Sequence, residues 1–237
     1  MKQHILLSFI VIFTCLSGKS QGQKIANDII GSGKGSIMLN NDMELKGVIH
    51  FNHRTEIVSL ESSEKSKVYN SLNIMGFEYY DMALSRQRIF FSLPYIDPKF
   101  VEDSVESDEG EHFFEVIRQF KDFSLLSRTE FFVPQLSKKN SASNKAKQSH
   151  EIEKIFFLQE HDKITPYLEI VTVENNNVGE EKSIPKAKVE DGKILSTIMG
   201  DKFSEVKDWA QSKGLDLKKK QDLIEILDHY ESLHSIK

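Results

Sequence analysis

Short runs of β-branched and aromatic residues alternate with polar turns along most of the chain, a pattern that predicts β-strands. Each run is closed by Asn, Asp, Gly or Ser, residues that favour tight turns. The predicted strands are Ser36–Leu39, Leu45–Phe51, Glu56–Glu61, Lys67–Tyr69, Gly76–Tyr80, Arg88–Leu93, Phe113–Phe120, Phe123–Val133, Glu151–Gln159 and Tyr167–Glu174. About ten short strands joined by short turns are typical of an antiparallel meander.

The second predicted strand indicates the shape of this sheet. Every second residue from Leu45 to Phe51 is apolar or glycine, and the opposite face also carries Val48. Because both faces hold apolar residues, we expect the sheet to curl into a partial barrel or to be covered on its second side.

From about residue 190 the apolar period changes from two to 3.6, which predicts helices. Lys193–Met199 forms a short helix that ends at Gly200, and a second helix, capped by Asp201, ends at Gly214. Asp216 caps a third helix. The predicted apolar stripes are Phe203, Val206, Trp209 and Ala210 in the second helix, and Leu223, Ile226, Leu227, Tyr230 and Leu233 in the third.

The predicted fold is therefore α+β. An antiparallel, curled β-sheet or partial barrel occupies residues 24–189, and a small C-terminal helical appendage occupies residues 190–237. Gly31–Gly35 is expected to be a flexible lead-in. An acidic loop over 102–111 and a lysine-bearing, disordered insertion over 137–150 interrupt the strands.

The first twenty residues have the pattern of a secretory signal peptide. Lys2 provides a basic start, Ile5–Cys15 is a nearly unbroken apolar run, and Gly18 and Ser20 are the small residues of a cleavage site after Ser20. The apolar run has about half the roughly twenty residues that a spanning helix needs. Lipidation of Cys15 is a second reading, although Ile12-Phe13-Thr14 is a poor lipid-attachment motif.

Cleavage after Ser20 leaves a mature chain of about 217 residues without cysteine, because the chain has a single Cys. Its core then has to hold the fold without disulfides. Loss of Lys2 and Lys19 leaves 29 basic against 36 acidic residues, a net charge of −7. This acidic balance argues against nucleic acid as a partner, and no other segment is long enough for a transmembrane helix.

Four segments invite a chemical interpretation, and none has the residues that its chemistry requires. Gly31–Ser36 lacks the Ser or Thr that must follow the lysine of a phosphate-binding loop. His50 and His53 have a two-residue gap but no third metal ligand with suitable spacing. The acidic loop has the carboxylates Asp103, Glu106, Asp108 and Glu109 without the oxygen spacing of a calcium loop. The lysine-bearing insertion can at most touch anionic head groups.

The sequence also lacks the G-x-S-x-G motif of a nucleophile elbow and the H-E-x-x-H motif of a zinc-binding helix. It has no Ser, His and Asp in an order typical of a catalytic triad. We therefore predict no catalytic, cofactor-binding or metal-binding residues, and no cofactor.

Several short motifs resemble a family of uncharacterised, secreted, β-rich proteins from Bacteroidota-type bacteria. They are Gly35-Ser36-Ile37, Asn41-Asp42, Lys46–Ile49, Ile74–Tyr79, Phe113–Arg128, and Gly200-Asp201-Lys202 followed by Leu223–Leu233. The resemblance implies a periplasmic domain, some relatives of which precede an outer-membrane barrel. This chain departs from that arrangement, because it ends in helices. The family has no catalytic residues to carry over.

These observations favour an exported, non-enzymatic module of the cell envelope, in the periplasm, associated with the outer membrane, or extracellular. It binds or scaffolds a protein partner through an exposed strand edge or its helical end. The alternative is a lipid-binding or small-ligand-binding domain. That alternative predicts a pocket of several hundred cubic ångströms lined by Phe90, Phe91, Phe113 or Phe131. A cluster of titratable residues converging in a cleft would instead favour an enzyme.

Overall fold

Eleven strands form one antiparallel sheet in the computed structural model, which describes residues 30–63, 65–96, 110–132, 150–160, 163–174, 181–186 and 191–234. The strands are β1 Ile30–Leu39, β2 Glu44–Asn52, β3 Ile57–Glu61, β4 Ser66–Tyr69, β5 Ile74–Asp81, β6 Arg86–Tyr95, β7 Gly110–Gln119, β8 Ser124–Phe132, β9 His150–Gln159, β10 Lys163–Glu174 and β11 Glu181–Lys186. The predicted α+β class and antiparallel sheet are confirmed.

The sheet is an open meander with one departure from sequence order. Its order is β11-β10-β9-β8-β7-β6-β5-β1-β2-β3-β4, so β5 returns to pair with β1 and leaves β4 at one edge. Two predictions need correction. Gly31–Gly35 is part of β1 and not a flexible lead-in, and β11 at the far edge was not predicted.

The sheet curls strongly, as the pattern of Leu45–Phe51 predicts. Phe51 on β2 and Phe113 on β7 are four strands apart, which is about 19 Å in a flat sheet. Their ring centroids nevertheless lie 5.7 Å apart. The curl brings β1–β3 over β5–β7 and buries one shared cluster: Ile37, Ile49, Phe51, Val58, Leu60, Ile74, Phe77, Tyr79, Phe90 and Phe113.

Three glycines of β1 permit this tight curvature. A Cβ atom added to Gly33 would lie 2.0 Å from the carbonyl oxygen of Tyr80, and one added to Gly35 would lie 1.8 Å from that of Glu78. At Gly31 the added atom would lie 2.0 Å from the hydroxyl of Tyr79. The Gly-x-Gly-x-Gly spacing therefore serves a close approach of neighbouring chains.

Three helices follow the sheet: α1 Asp191–Met199, α2 Phe203–Lys213 and α3 Lys220–His234, with a 3₁₀ turn at Gly200–Lys202. Gly200 and Gly214 have positive φ, as predicted for helix ends. The predicted cap at Asp201 is wrong, because Lys202 precedes α2 and makes no side-chain cap bond. Asp216 Oδ1 accepts from the Lys218 N–H, so it closes a turn before α3 begins.

The predicted helix stripes are confirmed, and they pack against the sheet. Val206 and Ala210 of α2 and the buried stripe of α3 share one cluster with Leu125, Ile155 and Phe157 of the sheet. Lys220 Nζ lies 2.5 Å from Glu153 Oε1, and Arg118 Nε lies 2.9 Å from Asp228 Oδ1. Helices and sheet thus share one core.

Several predicted segments lie outside the described residues. They include the signal peptide, positions 102–109 of the acidic loop and 137–149 of the lysine-bearing insertion, whereas His150 begins β9. Among the residues that are described, no helix combines the length and apolar character needed to cross a bilayer.

Candidate functional site

A buried charge network centres on Arg88 of β6. Its guanidinium makes two contacts with the Glu115 carboxylate of β7: Nη2 to Oε2 at 2.6 Å and Nε to Oε1 at 3.1 Å. Arg86 Nη2 donates to the same carboxylate at 2.6 Å. Arg88 Nη1 also lies 3.6 Å from Asp81 Oδ2 and donates to the Tyr79 hydroxyl at 3.0 Å. The Arg88 guanidinium thereby joins β6 to β7 and to the end of β5.

The ionisation of this network follows from burial opposed by close charges. Burial alone favours a protonated Glu115, but the hydrogen bonds and charge of Arg88 outweigh it and hold the pKa of Glu115 below its usual range. Burial likewise opposes the charge on Arg88, yet its contacts with Glu115 raise the pKa of Arg88. Burial raises the pKa of Tyr79 to about 12. The Arg88–Glu115 pair therefore stays ionised at neutral pH.

His53 enters the network from the turn after β2. Asn52 Oδ1 accepts from the N–H groups of Arg54 and Thr55, at 3.0 and 3.1 Å, and closes this turn. The turn places His53 Nε2 at 3.3 Å from Arg88 Nη1. Burial, and then the Arg88 charge, lower the pKa of His53 to about 4. The imidazole is therefore neutral at pH 7 and accepts from Arg88 through Nε2.

Glu56 ends the same turn and bridges a split in the sheet. β7 and β8 pair only from Glu115 and Ser127 to Gln119 and Ser124, although each continues beyond that point beside its other neighbour. At the split, Glu56 Oε2 lies 2.9 Å from His112 Nδ1 of β7. Its Oε1 lies 2.9 Å from Arg128 Nε of β8. The Glu56 carboxylate thus links β7 to β8 where the two strands are not paired with each other.

The backbone of Glu56 is constrained to make this bridge possible. Its φ is 52°, in the left-handed region that non-glycine residues seldom occupy. Burial raises the pKa of Glu56, but the hydrogen bond from His112 and the charge of Arg128 outweigh it and give a lowered pKa. The strand β3 itself begins at Ile57, one residue after the predicted start.

The charges of the network are matched. Arg86, Arg88, Arg128 and Lys154 face the carboxylates of Asp81, Glu115, Glu56 and Glu130. A cleft lined by Phe51, His53, Arg88, Glu115 and Arg128, among others, has a volume of about 10 Å³, room for about one water molecule. A titratable cluster does converge in a cleft, as an enzyme would require, but each of these carboxylates already forms an ion pair with an Arg or Lys side chain. This arrangement favours a structural role, in which the ion pairs hold neighbouring strands together.

The structure separates the two histidines that were considered as metal ligands. His50 remains on β2, where its Nε2 lies 3.5 Å from Glu61 Oε2, while His53 turns toward Arg88. Across the described ranges, no three His, Cys, Asp or Glu side chains form a group that could hold a metal ion. Gly31–Ser36 lies within β1, and Asp103, Glu106, Asp108 and Glu109 lie outside the described residues.

Two of the four phenylalanines named for a ligand pocket fill the interior. Phe90 and Phe113 are buried, and Phe90 stacks on Phe77 with 4.6 Å between the ring centroids. The Phe77 and Phe113 centroids are 5.1 Å apart. Phe91 and Phe131 are only partly buried. In the part of the chain that the structure describes, the concave side of the curled sheet is therefore occupied by its own aromatic rings.

Among the described strands, β4 is one edge of the open sheet. Ser62 N donates to Lys65 O at 3.1 Å, which makes residues 62 and 65 a hydrogen-bonded pair. Because such pairs alternate along an antiparallel ladder, Lys67 and Tyr69 face β3, and the main-chain groups of Ser66 and Val68 face outward. The Val68 side chain is 65% exposed.

Comparisons of the chain with protein-family models, with curated proteins and with solved structures give no match.

Proposed function

We propose that this protein is an exported, non-enzymatic module of the bacterial envelope that binds a protein partner through the edge of β4. The observation that carries the proposal is the edge at Val68, which no described strand covers and where an exposed residue lies beside outward main-chain donors and acceptors. An extended segment of a partner can add a strand at such an edge.

The charges near β4 favour a partner strand over a second copy of the protein. Lys65 and Lys67 are exposed at this edge, and Lys67 pairs with the buried Leu60 on the concave side of the sheet. A charged residue on the inward side of an edge strand opposes pairing between identical edges. The proposed partner segment is therefore extended and carries carboxylates opposite these lysines.

The filled interior favours binding of a protein partner over the alternative, binding of a lipid or small ligand. Phe90 and Phe113 occupy the concave side, and the cleft beside Arg88 has room for about one water molecule. A pocket for a lipid or small ligand buries most of the ligand and has a volume of hundreds of cubic ångströms. The matched charges around Arg88 support a bracing role for the titratable residues.

Val68→Pro tests the use of the β4 edge. The Val68 N–H faces outward, so proline there leaves the bonds to β3 in place and blocks an added strand. We expect the tagged wild-type protein, recovered from its native envelope, to bring down a partner that purified Val68→Pro does not bind. Thermal unfolding should show that the variant is folded.

Lys67→Pro and lipid analysis complete this test. Lys67→Pro removes a bond to β3 and should lower the unfolding temperature, which checks the assignment of inward and outward groups. Equal binding of the partner by wild type and Val68→Pro would refute the use of this edge. Recovery of a stoichiometric lipid without a protein would favour the ligand-binding alternative.

Export is tested separately by the intact mass of the protein from the envelope fraction. A chain that begins at Gln21 supports cleavage after Ser20. A chain that begins at a lipid-modified Cys15 supports the second reading of the N-terminus. Recovery of the uncut chain from the cytosol would contradict export.

A further inference from the structure

The turn between β5 and β6 presents three consecutive apolar residues, Met82, Ala83 and Leu84, which we name the β5–β6 tip. Met82 is 76% exposed and Leu84 is 48% exposed. Tyr80, at the end of β5, is 42% exposed. Turns are normally built from polar residues and glycine, so an apolar turn projecting into solvent calls for an explanation.

The tip is held rigidly by the buried network. Asp81 Oδ1 accepts from the N–H groups of Ala83 and Leu84, at 3.0 and 3.1 Å. Asp81 Oδ2 lies 3.6 Å from Arg88 Nη1, which ties the turn to the pair formed by Arg88 and Glu115. Two backbone donors of the tip are therefore satisfied within the protein, and entering an apolar environment would not leave them unpaired.

Basic residues surround the tip at this end of the sheet. Lys34 is exposed and precedes Gly35, which pairs with Tyr79. Arg54 is exposed in the turn after β2, and β2 ends beside the start of β1 at this same end of the sheet.

Three carboxylates at this end face inward. Asp81, Glu56 and Glu115 are all held by the buried network. Asp122 and Glu160 are exposed at the same end, after β7 and β9, where Lys121 and Lys163 are exposed as well. On the described strands and turns of this end, the exposed charged side chains are therefore mostly basic.

We infer that the β5–β6 tip docks the protein onto an anionic membrane surface. Met82 and Leu84 enter the boundary between head groups and acyl chains, and Lys34 and Arg54 lie over the anionic head groups. A stable protein interface needs about 800 Å² from each partner, which a tip of three residues does not supply. Insertion of a few apolar side chains beside basic residues is sufficient for reversible binding to a lipid surface.

The test measures sedimentation of the full chain with vesicles of phosphatidylcholine, with and without phosphatidylglycerol. We expect binding that requires phosphatidylglycerol and weakens as salt is raised. Met82→Ser/Leu84→Ser should lower the partition coefficient by about tenfold or more, since each substitution removes apolar surface from the lipid. The matched control, Met43→Ser/Val68→Ser, removes exposed apolar side chains elsewhere and should bind as wild type does.

A second measurement reads insertion of the tip itself, because the apolar N-terminal run is present in every variant. Leu84→Trp, in a Trp209→Phe background, should be quenched by brominated lipids only when phosphatidylglycerol is present. Absence of quenching, or equal loss of binding in the tip and control variants, would overturn the inference. Vesicle binding by Val68→Pro should equal wild type, which separates this surface from the proposed partner edge.

Discussion

Arg88 and Glu115 form a two-point ion pair between neighbouring strands, with contacts of 2.6 and 3.1 Å. Both side chains are largely buried, with 12% and 7% of their surfaces accessible. Each group therefore depends on the other, because an unpaired buried charge is costly. Arg88 also contacts His53 and Asp81, so the pair stabilises the turns that carry these two residues.

Glu115→Gln should lower the free energy of unfolding by about 3 kcal/mol, because it removes the closest carboxylate of the buried Arg88 and leaves only that of Asp81, at 3.6 Å. Urea denaturation measures this change. Glu61→Gln is the matched control, since Glu61 contacts His50 at the surface and its side chain is 65% accessible. The control should change stability by less than about 0.5 kcal/mol. Equal effects of the two substitutions would contradict a bracing role for Glu115.

Stability should fall as the pH falls from about 6.5 to about 4, because His53 resists protonation in the folded state. Its pKa is about 4 in the fold and 6.5 when exposed, so the unfolded chain binds the proton first. The stabilisation is fully present above the unfolded pKa and is lost as pH falls through this window. Its size is on the order of 3 kcal/mol.

His53→Gln should flatten the dependence of stability on pH within that window. The measurement is urea denaturation at several pH values, with His50→Gln as the control at the surface. Glu56 and Glu115, whose pKa values are lowered, add their own loss of stability below about pH 4.5. A slope between pH 6.5 and 4.5 that persists in His53→Gln would show that His53 does not cause it.

The sheet was predictable because its signals are local. Alternation in Leu45–Phe51 and the turn residues between strands reflect the two-residue period of a pleated strand. The pairing of β5 with β1 was not predictable in this way, because it joins segments separated by two hairpins. The prediction of a flexible lead-in at Gly31–Gly35 was wrong for a related reason. These glycines are needed because the carbonyls of Glu78 and Tyr80, on another strand, leave no room for a Cβ atom.

The charge network shows the same limit at the level of side chains. The turn that redirects His53 has a local signal, because Asn52 is of a residue type that favours turns. Arg88 and Glu115 had no such local mark, because their strands come together only through the pairing of β6 with β7. The bridge from Glu56 to Arg128 depends on the curl of the whole sheet, which no short window contains.

Gly35→Ala should destabilise the protein by about 2 kcal/mol or more, because the new Cβ would meet the Glu78 carbonyl and two packed chains would have to separate. Gly192→Ala is the matched control. A Cβ at Gly192 would have only the Phe203 ring within 4 Å, at 3.8 Å, and alanine is favoured in a helix. Thermal unfolding of both variants measures the difference. A tolerated Gly35→Ala would contradict the close approach of β1 and β5.

Leu227→Ala should weaken the sheet and the helices together, because Leu227 of α3 is buried in the cluster that contains Leu125 and Phe157. Loss of this side chain should lower the free energy of unfolding by about 2 to 5 kcal/mol. The single tryptophan, Trp209, lies on α2 and its fluorescence reports on the helices. Far-ultraviolet circular dichroism near the β minimum reports on the sheet. Coincident midpoints of the two signals, shifted equally in Leu227→Ala, are expected of one cooperative unit. A fluorescence transition at a lower midpoint, with the midpoint of the sheet signal unchanged, would instead show that the helices unfold separately from the sheet.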